Sequence, residues 1–416
     1  MENERVKKLF DDFKCAAETL KEKAVEKVHI IYHDDADGVT AAAILKASLE
    51  RRQIQVKMIC IEKLYPEIIE KLHSEKGKVY IYADIGAPHA DRISSVNKGR
   101  NLTIILDHHD TLPSSDPAVI NLDPELYGIS GEEEASGATV CYLFSKILSE
   151  RNVDLAHLAV IGSSEIPGPV RGLNLIALED ALKVGTIQVK QVNEEKKYLV
   201  TAYGRPEPRE KIASKLTAMA AIGYYIGGPK RAVNACLSGF SERDLQFIKE
   251  LDQQRRKVNR QLIAKLKHSG IRQARFVQWF HAYDAYKGMG VKTIGTFCSY
   301  LSFQKWINQG KYLIGFMYMS RVIPELGELS RDYVKFSARV PKQLALAIRD
   351  GRMPPISTAL SEAAKVFGGF ADGHDVAASG VIPRGFEKEF IKKLDEIISR
   401  CAASSSPFKP KVQRYS

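Results

Sequence analysis

The sequence predicts an α/β fold in which a parallel-sheet domain is joined by a long helix to a smaller α/β domain. In the first half of the chain, short apolar runs alternate with helical stretches, which is the pattern of a parallel sheet covered on both faces. A long charged helix and a second set of strands follow. We therefore expect a first domain over residues 1–240, a linker helix over 241–272, a second domain over 273–400 and a flexible basic tail over 401–416.

The first domain begins with a charged amphipathic helix and then alternates strands with helices. Its strands are short runs rich in Val, Ile and Tyr, which favour β structure. We expect strands at residues 28–32, 54–59, 79–83, 102–106 and 119–122. We expect helices at residues 6–27, 39–51, 66–73 and 89–97, a further helix from residue 136, another at 155–161, and a mostly helical chain beyond Pro167.

The segment from residue 244 to 275 is the clearest helix, because its apolar residues recur at three- and four-residue steps. Its other face is basic and carries Lys249, Arg255, Arg256, Lys257, Arg260, Lys265 and Lys267. That face is either an ordinary solvated surface or a basic rim beside a nucleic-acid groove. Beyond it, aromatic and β-branched residues predict strands at 276–280, 311–318 and 333–339, and helices at 357–367 and 387–399 flank a glycine-rich segment.

Composition excludes several classes of protein. The chain of 416 residues is 44% hydrophobic and 27% charged, and no apolar run is long enough to span a bilayer. Its six cysteines are scattered without the spacing of a disulfide framework or a zinc ribbon. The charged amino terminus lacks a signal-peptide core, so we expect a cytoplasmic protein with no membrane contact. The net charge of +11 favours a polyanionic partner, nucleic acid above all, unless it serves only solubility.

Acidic and histidine residues follow three of the predicted strands. His33-Asp34-Asp35-Ala36-Asp37-Gly38 comes after the first strand, Asp84 after the third, and Asp107-His108-His109 after the fourth. The carboxyl ends of parallel strands face one crevice, in which ligands bind. Carboxylates and imidazoles together suit Mn, Mg or Zn. The sequence therefore predicts a metal site at this edge of the sheet.

These motifs together resemble the DHH phosphoesterase superfamily, which is named for its Asp-His-His triplet. The stretch over residues 367–380 looks like the superfamily's associated domain, and the pair Ser337-x-Arg339 fits the strand that contributes an arginine there. Within the superfamily, the chain is most similar to archaeal RecJ-like exonucleases that accompany a helicase or the replicative GINS complex. The resemblance covers most of the chain, and it adds the associated domain to the expected α/β architecture.

The resemblance implies a phosphodiesterase with two divalent metals, two Mn or else Mg, that acts as an exonuclease on single-stranded DNA or RNA in replication or repair. It implies that Asp107 orients neighbouring groups and that His109 faces the scissile phosphate. By the same resemblance, His33 and Asp35 hold one metal, Asp37 and His108 hold the other, and Asp84 bridges both. Arg339, Gly373 and His374 would bind the substrate phosphate from the second domain.

One further metal-binding Asp of the family is absent. After the apolar helix at 155–161, the chain reads Gly162-Ser163-Ser164-Glu165. Either Glu165 takes the place of the missing ligand, or Ser163 occupies it and one metal site is weakened. The aromatic residue on which a base would stack cannot be named from the sequence, because for each of Tyr224, Tyr225, Trp279 and Tyr283 we favour a core position over a binding role.

Two other functions remain open from the sequence. The chain could be a catalytically weak subunit that binds a helicase or replication complex, or a phosphodiesterase of short oligonucleotides or cyclic dinucleotides. The polar tail from Ser404 to Ser416 carries Phe408, Val412 and Tyr415 between basic residues, a pattern that suits docking to an acidic partner as well as an ordinary disordered terminus.

Overall fold

The computed structural model describes residues 2–23, 25–193 and 195–403. The chain divides into two compact units, of which unit 1 comprises Met1–Leu251 with Pro324–Gly327, and unit 2 comprises Asp252–Ile323 with Glu328–Ser416. The division falls inside the helix that the sequence predicts as a linker. Of the tail predicted over residues 401–416, residues 401–403 form the end of the last helix, and the rest, with Phe408, Val412 and Tyr415, lies outside the described residues.

Unit 1 is built on a parallel sheet of five strands, as the sequence predicts. The strands are β1 (Lys27–Tyr32), β2 (Gln55–Cys60), β3 (Val79–Ala83), β4 (Leu102–Leu106) and β5 (Val119–Asn121). Their order in the sheet is β2-β1-β3-β4-β5, and each neighbouring pair is parallel. Because β1, β3 and β4 are adjacent, the loops that follow them meet at one edge of the sheet.

Helices cover this sheet and complete unit 1. They are α1 (Glu2–Glu22), α2 (Ala36–Glu50), α3 (Pro66–Leu72), α4 (Ala90–Asn97), α5 (Gly137–Leu148), α6 (Ala156–Gly162), α7 (Gly172–Val184), α8 (Arg209–Thr217) and α9 (Gly228–Ser238). Most of α2 is buried, and its Val39, Ile44 and Leu45 are fully so. Burial of such side chains contributes about 1.5–3 kcal/mol each, so α2 is fixed firmly behind the sheet.

A small antiparallel sheet in unit 1 departs from the prediction of a mostly helical chain after Pro167. It consists of β6 (Ile187–Val192), β7 (Glu195–Val200) and β8 (Glu207–Pro208). The sequence signal for β6 is weak because the strand is largely exposed and polar, with Gln188, Lys190 and Gln191 among its residues. Apolar and polar side chains alternate only over residues 187–190, the shortest run that indicates a strand, and the alternation breaks at Gln191.

Helix α2 begins three residues earlier than predicted, and this difference matters for the site. The side chain of Asp35 caps the helix by accepting a hydrogen bond from Gly38 N–H at 3.1 Å. Asp37 and Gly38 therefore belong to the first helical turn. A Cβ on Gly38 would lie 2.5 Å from the carbonyl oxygen of His33, so only glycine lets the helix start so close to the end of β1.

Unit 2 contains a six-stranded sheet with helices packed against it. Most of the long helix α10 (Glu242–Ser269) belongs to this unit. The sheet is formed by β9 (Arg272–Gln273), β10 (Val277–His281), β11 (Tyr312–Tyr318), β14 (Tyr333–Arg339), β15 (Phe370–His374) and β16 (Ala377–Pro383), whereas β12 (Val322–Ile323) and β13 (Gly327–Glu328) form a separate two-stranded sheet. The remaining helices are α11 (Lys292–Ser302), α12 (Lys342–Arg349), α13 (Ile356–Val366) and α14 (Glu387–Ala403).

The order in the sheet of unit 2 is β15-β16-β14-β11-β10-β9, in which only β10 and β11 run parallel. The three strands predicted in this region are confirmed. The glycine-rich segment, which the sequence leaves between two helices, forms the antiparallel pair β15 and β16. Within the described residues, no helix is long and apolar enough to cross a membrane.

Candidate metal centre

The predicted acidic and histidine residues come together at the carboxyl edge of the unit 1 sheet. His33 Nδ1 lies 2.8 Å from Asp35 Oδ2 and 3.8 Å from Asp84 Oδ2. His108 Nε2 lies 3.3 Å from Asp84 Oδ1 and 3.5 Å from Asp37 Oδ2. Two groups of possible ligand atoms result, His33 with Asp35 and Asp84, and Asp84 with His108 and His109, each within 4.8 Å. Asp84 belongs to both groups.

Asp84 is held in a backbone conformation that residues other than glycine rarely adopt, with φ at +59°. Its carboxylate is almost completely buried, with 1% of the residue exposed, and Oδ1 accepts no hydrogen bond from the described residues. Burial, reinforced by Asp37 and Asp35, raises the pKa of Asp84 well above its usual value. A buried carboxylate oxygen of this kind fits direct coordination of a cation, because the cation would offset the free-energy cost of burying the charged carboxylate.

Asp37 is bound by the beginning of α5, one hundred residues away in sequence. Gly137 N–H donates to Asp37 Oδ2 at 2.9 Å, and Ala138 N–H donates to Asp37 Oδ1 at 2.8 Å. Free amides and the helix dipole both favour an anion at a helix amino terminus. Burial nevertheless raises the pKa of Asp37 above its usual value, despite the opposing effect of His108. Nothing in the sequence pattern indicates this contact.

His108 presents one particular nitrogen to the cluster. Its Nδ1 lies 2.7 Å from the carbonyl oxygen of Gly131, which can only accept, so Nδ1 carries the proton of the neutral ring. Nε2 then carries no proton and faces Asp37 and Asp84. A backbone carbonyl that fixes the tautomer in this way is a common support for metal-binding histidines.

Asp107 belongs to neither ligand group and instead makes hydrogen bonds to the two histidines of the triplet. Its buried carboxylate accepts hydrogen bonds from Ala87 N–H at 2.8 Å, from His108 N–H at 2.8 Å and from His109 Nδ1 at 2.7 Å. Although burial alone would raise it, these partners hold the pKa of Asp107 below its usual range. His109 is 48% exposed at its side chain, so the ring is oriented by Asp107 and open to solvent on its other side.

Glu165 stands apart from both ligand groups. It ends the short 3-10 turn after α6, is exposed, and its Oε1 lies 3.4 Å from Thr217 Oγ1. Thr217 Oγ1 in turn accepts a hydrogen bond from Ala36 N–H at 2.9 Å, which connects this turn to the start of α2. The neighbouring Ser163 is buried, and its hydroxyl lies 3.3 Å from the guanidinium of Arg209.

Arg339 and His374 lie in one row across the sheet of unit 2. His374 is opposite Ala377, and Ala377 is opposite Arg339, so both side chains project from the same face. Arg339 donates through Nε to Ser299 Oγ at 2.8 Å and through Nη1 to Ser337 Oγ at 3.0 Å, while Nη2 makes no hydrogen bond within the described residues.

The backbone geometry at Gly373 explains why a glycine occupies this position. Its φ is +128°, and a Cβ there would lie 2.6 Å from the carbonyl oxygen of Ala377. The close approach of β15 to β16 therefore requires glycine at this position.

The basic face of α10 is partly neutralised, because Asp252 pairs with both Arg255 and Arg256 at 2.6 Å.

Comparison with known proteins agrees with this arrangement. Residues 27–163, which contain all of the clustered ligands, match the DHH family, N-terminal domain. This part of the chain is therefore a DHH family N-terminal domain. A relative from Methanocaldococcus jannaschii, an uncharacterised protein, is 25% identical over 439 aligned residues, which cover 91% of this chain and 95% of that protein.

Two solved structures show the same fold. RecJ of Thermus thermophilus in complex with Mn²⁺ superposes with a TM-score of 0.60 at 17% identity. The match covers 94% of this chain and 55% of that one, so this chain spans about half the length of that RecJ. CDC45 from Entamoeba histolytica gives a TM-score of 0.56 at 8% identity and covers 94% and 98% of the two chains. The DHH domain is thus part of a RecJ-like fold.

Proposed function

We propose that this chain is a metal-dependent phosphodiesterase that removes nucleotides from an end of single-stranded DNA or RNA. The observation that carries the proposal is the position of Asp84, whose two carboxylate oxygens each face a different histidine, His33 and His108. Donor groups on both sides of one carboxylate fit a pair of divalent cations. The net charge of +11 agrees with a polyanionic substrate.

The residues present fit two cations. His33, Asp35 and Asp84 would hold one, and Asp84, Asp37 and His108 the other. Mn²⁺ is the expected ion and Mg²⁺ the second candidate, since the donors mix carboxylates with imidazoles and the Thermus RecJ was solved with Mn²⁺. When bound, such cations lower the pKa of a water and stabilise negative charge on a phosphodiester.

The remaining residues of the triplet would act on the scissile phosphate. Asp107 orients His109 through the hydrogen bond to Nδ1. The exposed side of the ring then carries Nε2. Although burial opposes it, the Asp107 carboxylate raises the pKa of His109 to about 9, so Nε2 also holds a proton, which it would donate to a phosphate oxygen or to the leaving group. In unit 2, the unused Nη2 of Arg339 would bind phosphate, with His374 on the same face of the sheet.

A second candidate is a catalytically weak subunit that binds a helicase or another replication-complex protein. The end of α6 favours it, because the buried Ser163 there contacts the cation of Arg209, whereas the nearby carboxylate of Glu165 is exposed. Helix α6 ends against a ligand, since a Cβ on Gly162 would lie 2.5 Å from Asp37 Oδ1, so a cation at this helix end would oppose binding of metal ions. The fold shared with CDC45 is compatible with this candidate as well.

The test is hydrolysis of end-labelled single-stranded DNA and RNA by the full chain with Mn²⁺, with Mg²⁺ and with a chelator. We expect products only with a divalent metal. Asp84→Asn keeps the shape of the side chain, and asparagine tolerates a positive φ, so this variant should fold but lose at least about 100-fold in rate. Asp180→Asn is the control, since Asp180 is a buried acid of α7 that pairs with Lys146.

The outcome distinguishes the two candidates. Shortening of the strand from one end that depends on metal and on Asp84 supports the exonuclease. Binding of strands without any hydrolysis in Mn²⁺ or Mg²⁺ overturns it and supports the binding subunit. Hydrolysis of dinucleotides alone, with longer strands left intact, overturns the assignment of long polymers as substrate.

A further inference from the structure

Two tyrosine rings lie at one end of the unit 2 sheet, and one is exposed to solvent while the other is half-buried. Tyr283 follows β10 and is 39% exposed, so the prediction that it belongs to the core is wrong, whereas Trp279 is buried as predicted. Tyr318 ends β11 on the neighbouring strand, with its ring centroid 5.7 Å from that of Tyr283. Because Tyr318 pairs with Val334 and Leu313 pairs with Arg339, these rings and Arg339 lie at opposite ends of β11.

The backbone holds the Tyr283 ring in a fixed position. Tyr283 has φ at +51°, which is unfavourable for a bulky side chain. Its N–H donates to His281 Nδ1 at 2.8 Å, and its ring stacks on the His281 ring at 4.2 Å with 5° between the planes. Strained residues of this kind persist where the surrounding structure enforces them, and they concentrate at binding sites.

His281 is a neutral support for this stack. Its Nδ1 accepts from Tyr283, so the ring proton is on Nε2, which lies 3.4 Å from Glu387 Oε1. Burial lowers the pKa of His281, although Glu387 opposes the shift. The carboxylate of Glu387 is thus directed to the buried histidine beneath the rings.

Three cationic side chains surround the two tyrosines, and they come from three different elements. Lys265 of α10 lies 5.7 Å from the centre of the Tyr283 ring, and Arg272 of β9 donates to the Tyr283 hydroxyl at 3.4 Å. Arg384, directly after β16, lies 3.6 Å over the Tyr318 ring. All three are exposed. An arginine that lies over a ring still directs its N–H groups outward, where they can bind phosphate.

We propose that this aromatic–basic patch, formed by Lys265, Arg272, Tyr283, Tyr318 and Arg384, binds single-stranded nucleic acid. The exposed ring of Tyr283 provides a stacking surface for an unpaired base beside the half-buried Tyr318, and the cations bind the neighbouring phosphates. A double helix lacks free base faces, and an acidic peptide would not need the exposed ring. The inference rests on the proposed function for the choice of polymer, and it adds a binding site outside the Asp and His cluster.

The test measures binding of labelled single strands of about 20 nucleotides, DNA and RNA, to the full chain in chelator, so that hydrolysis is absent. Tyr283→Gly removes the ring and accepts the positive φ, so the backbone should be preserved. Tyr283→Phe keeps the ring and loses only the hydroxyl. Tyr300→Ala is the matched control, because Tyr300 is a 49% exposed tyrosine of unit 2 on α11.

We expect Tyr283→Gly to raise the dissociation constant by about fivefold or more, as loss of one stacked base would. Tyr283→Phe and Tyr300→Ala should stay within about twofold of the parent protein, an effect much smaller than the loss of a stacked base. Arg384→Gln should lower the slope of log affinity against log salt by about 0.7, the value for one phosphate contact with a single strand. Cleavage of a dinucleotide should be unchanged in every variant.

The two proposals fail in different ways. Equal affinities of the parent protein, Tyr283→Gly and Arg384→Gln would overturn the patch while leaving nuclease activity in place. Binding that depends on Tyr283 without any hydrolysis would support the patch and overturn the nuclease. If the parent protein binds no single strand, both are wrong.

Discussion

Gly137 lies directly against the carboxylate of Asp84. A Cβ at position 137 would come within 2.3 Å of Asp84 Oδ1 and 2.8 Å of its Cα. The same residue donates its N–H to Asp37. The first turn of α5 therefore fixes two of the candidate ligands at once, one by contact and one by a hydrogen bond, although neither is its neighbour in sequence.

This contact predicts the effect of a single methyl group. Gly137→Ala should displace Asp84, because the added carbon would overlap both the carboxylate and the backbone. We expect the affinity for Mn²⁺ to fall about tenfold or more, the size of effect seen when the surroundings of metal ligands are disturbed. Titration calorimetry measures the affinity, and circular dichroism verifies the fold. Gly310→Ala is the control, since a Cβ there has a nearest contact of 3.4 Å. An unchanged affinity in Gly137→Ala would show that Asp84 does not bind the metal.

Much of the site could be predicted because it lies at strand ends. Apolar runs mark β1, β3 and β4, and the chain places His33, Asp84 and the Asp107 triplet directly after them. In a parallel sheet, that order brings the residues to one edge. The pattern of short strands and helices also predicts the five-stranded sheet itself.

Contacts between distant segments could not be predicted. The amides of α5 reach Asp37, and Gly137 reaches Asp84, through packing that leaves no periodic signal. Tyr283 is an aromatic residue beside a strand, which favours a core position in the sequence. Its exposure follows from the left-handed backbone conformation after β10. Strand β6 escapes detection because most of its side chains are exposed and the alternation of apolar and polar residues covers only four positions.

Glu165 provides the next prediction. If it is a metal ligand, Glu165→Gln should lower the affinity for Mn²⁺ by about tenfold. Glu165 could also affect metal binding indirectly, through its hydrogen bond with Thr217, because Thr217 also accepts a hydrogen bond from the start of α2 beside Asp35. Thr217→Val removes this anchor and keeps the acid. Titration of both variants with Mn²⁺ separates the two routes.

The two titrations with Mn²⁺ distinguish a metal ligand from a residue that positions α2. A loss in Glu165→Gln alone identifies Glu165 as a ligand, whereas equal losses in both variants indicate that it acts by positioning α2. A Glu165→Gln protein that titrates like the parent excludes a role in metal binding. Glu133→Gln is the control, since Glu133 is an acid of unit 1 that pairs with Arg171.

Arg339 should affect substrate binding and leave metal binding unchanged. Arg339→Lys keeps the charge, but the ammonium cannot maintain the hydrogen bonds to Ser299 and Ser337 while also binding phosphate. We expect KM for a single strand to rise about tenfold with the affinity for Mn²⁺ unchanged, as expected for loss of a charge-assisted contact. Arg349→Lys, at the end of α12, is the control. A KM equal to that of the parent would exclude phosphate binding by Arg339.

His73 predicts a dependence of stability on pH. Its buried ring lies between Asn97 Oδ1 at 3.0 Å and the Tyr82 hydroxyl at 2.9 Å, an arrangement that satisfies the neutral form with its proton on Nδ1. Burial lowers the pKa of His73 from 6.5 to about 4. The unfolded chain therefore takes up the proton first as the pH falls. The stabilisation is complete above pH 6.5 and is lost progressively towards pH 4.

From about pH 7.5 to about pH 5, this residue alone should lower the free energy of unfolding by about 2 kcal/mol. His29 and His157 shift in the same direction, so the contribution of His73 is obtained by difference. In His73→Gln, the amide can make hydrogen bonds to the same two partners and does not titrate. The free energy of unfolding of this variant should therefore fall by about 2 kcal/mol less than that of the parent protein over this pH range.

Urea unfolding should be followed by circular dichroism, because Trp279 and Trp306 both lie in unit 2 and would not report on unit 1. His268→Gln, an exposed change on α10, should leave the pH dependence as it is. If His73→Gln loses as much stability as the parent between these pH values, the ring of His73 is not neutral in the folded protein.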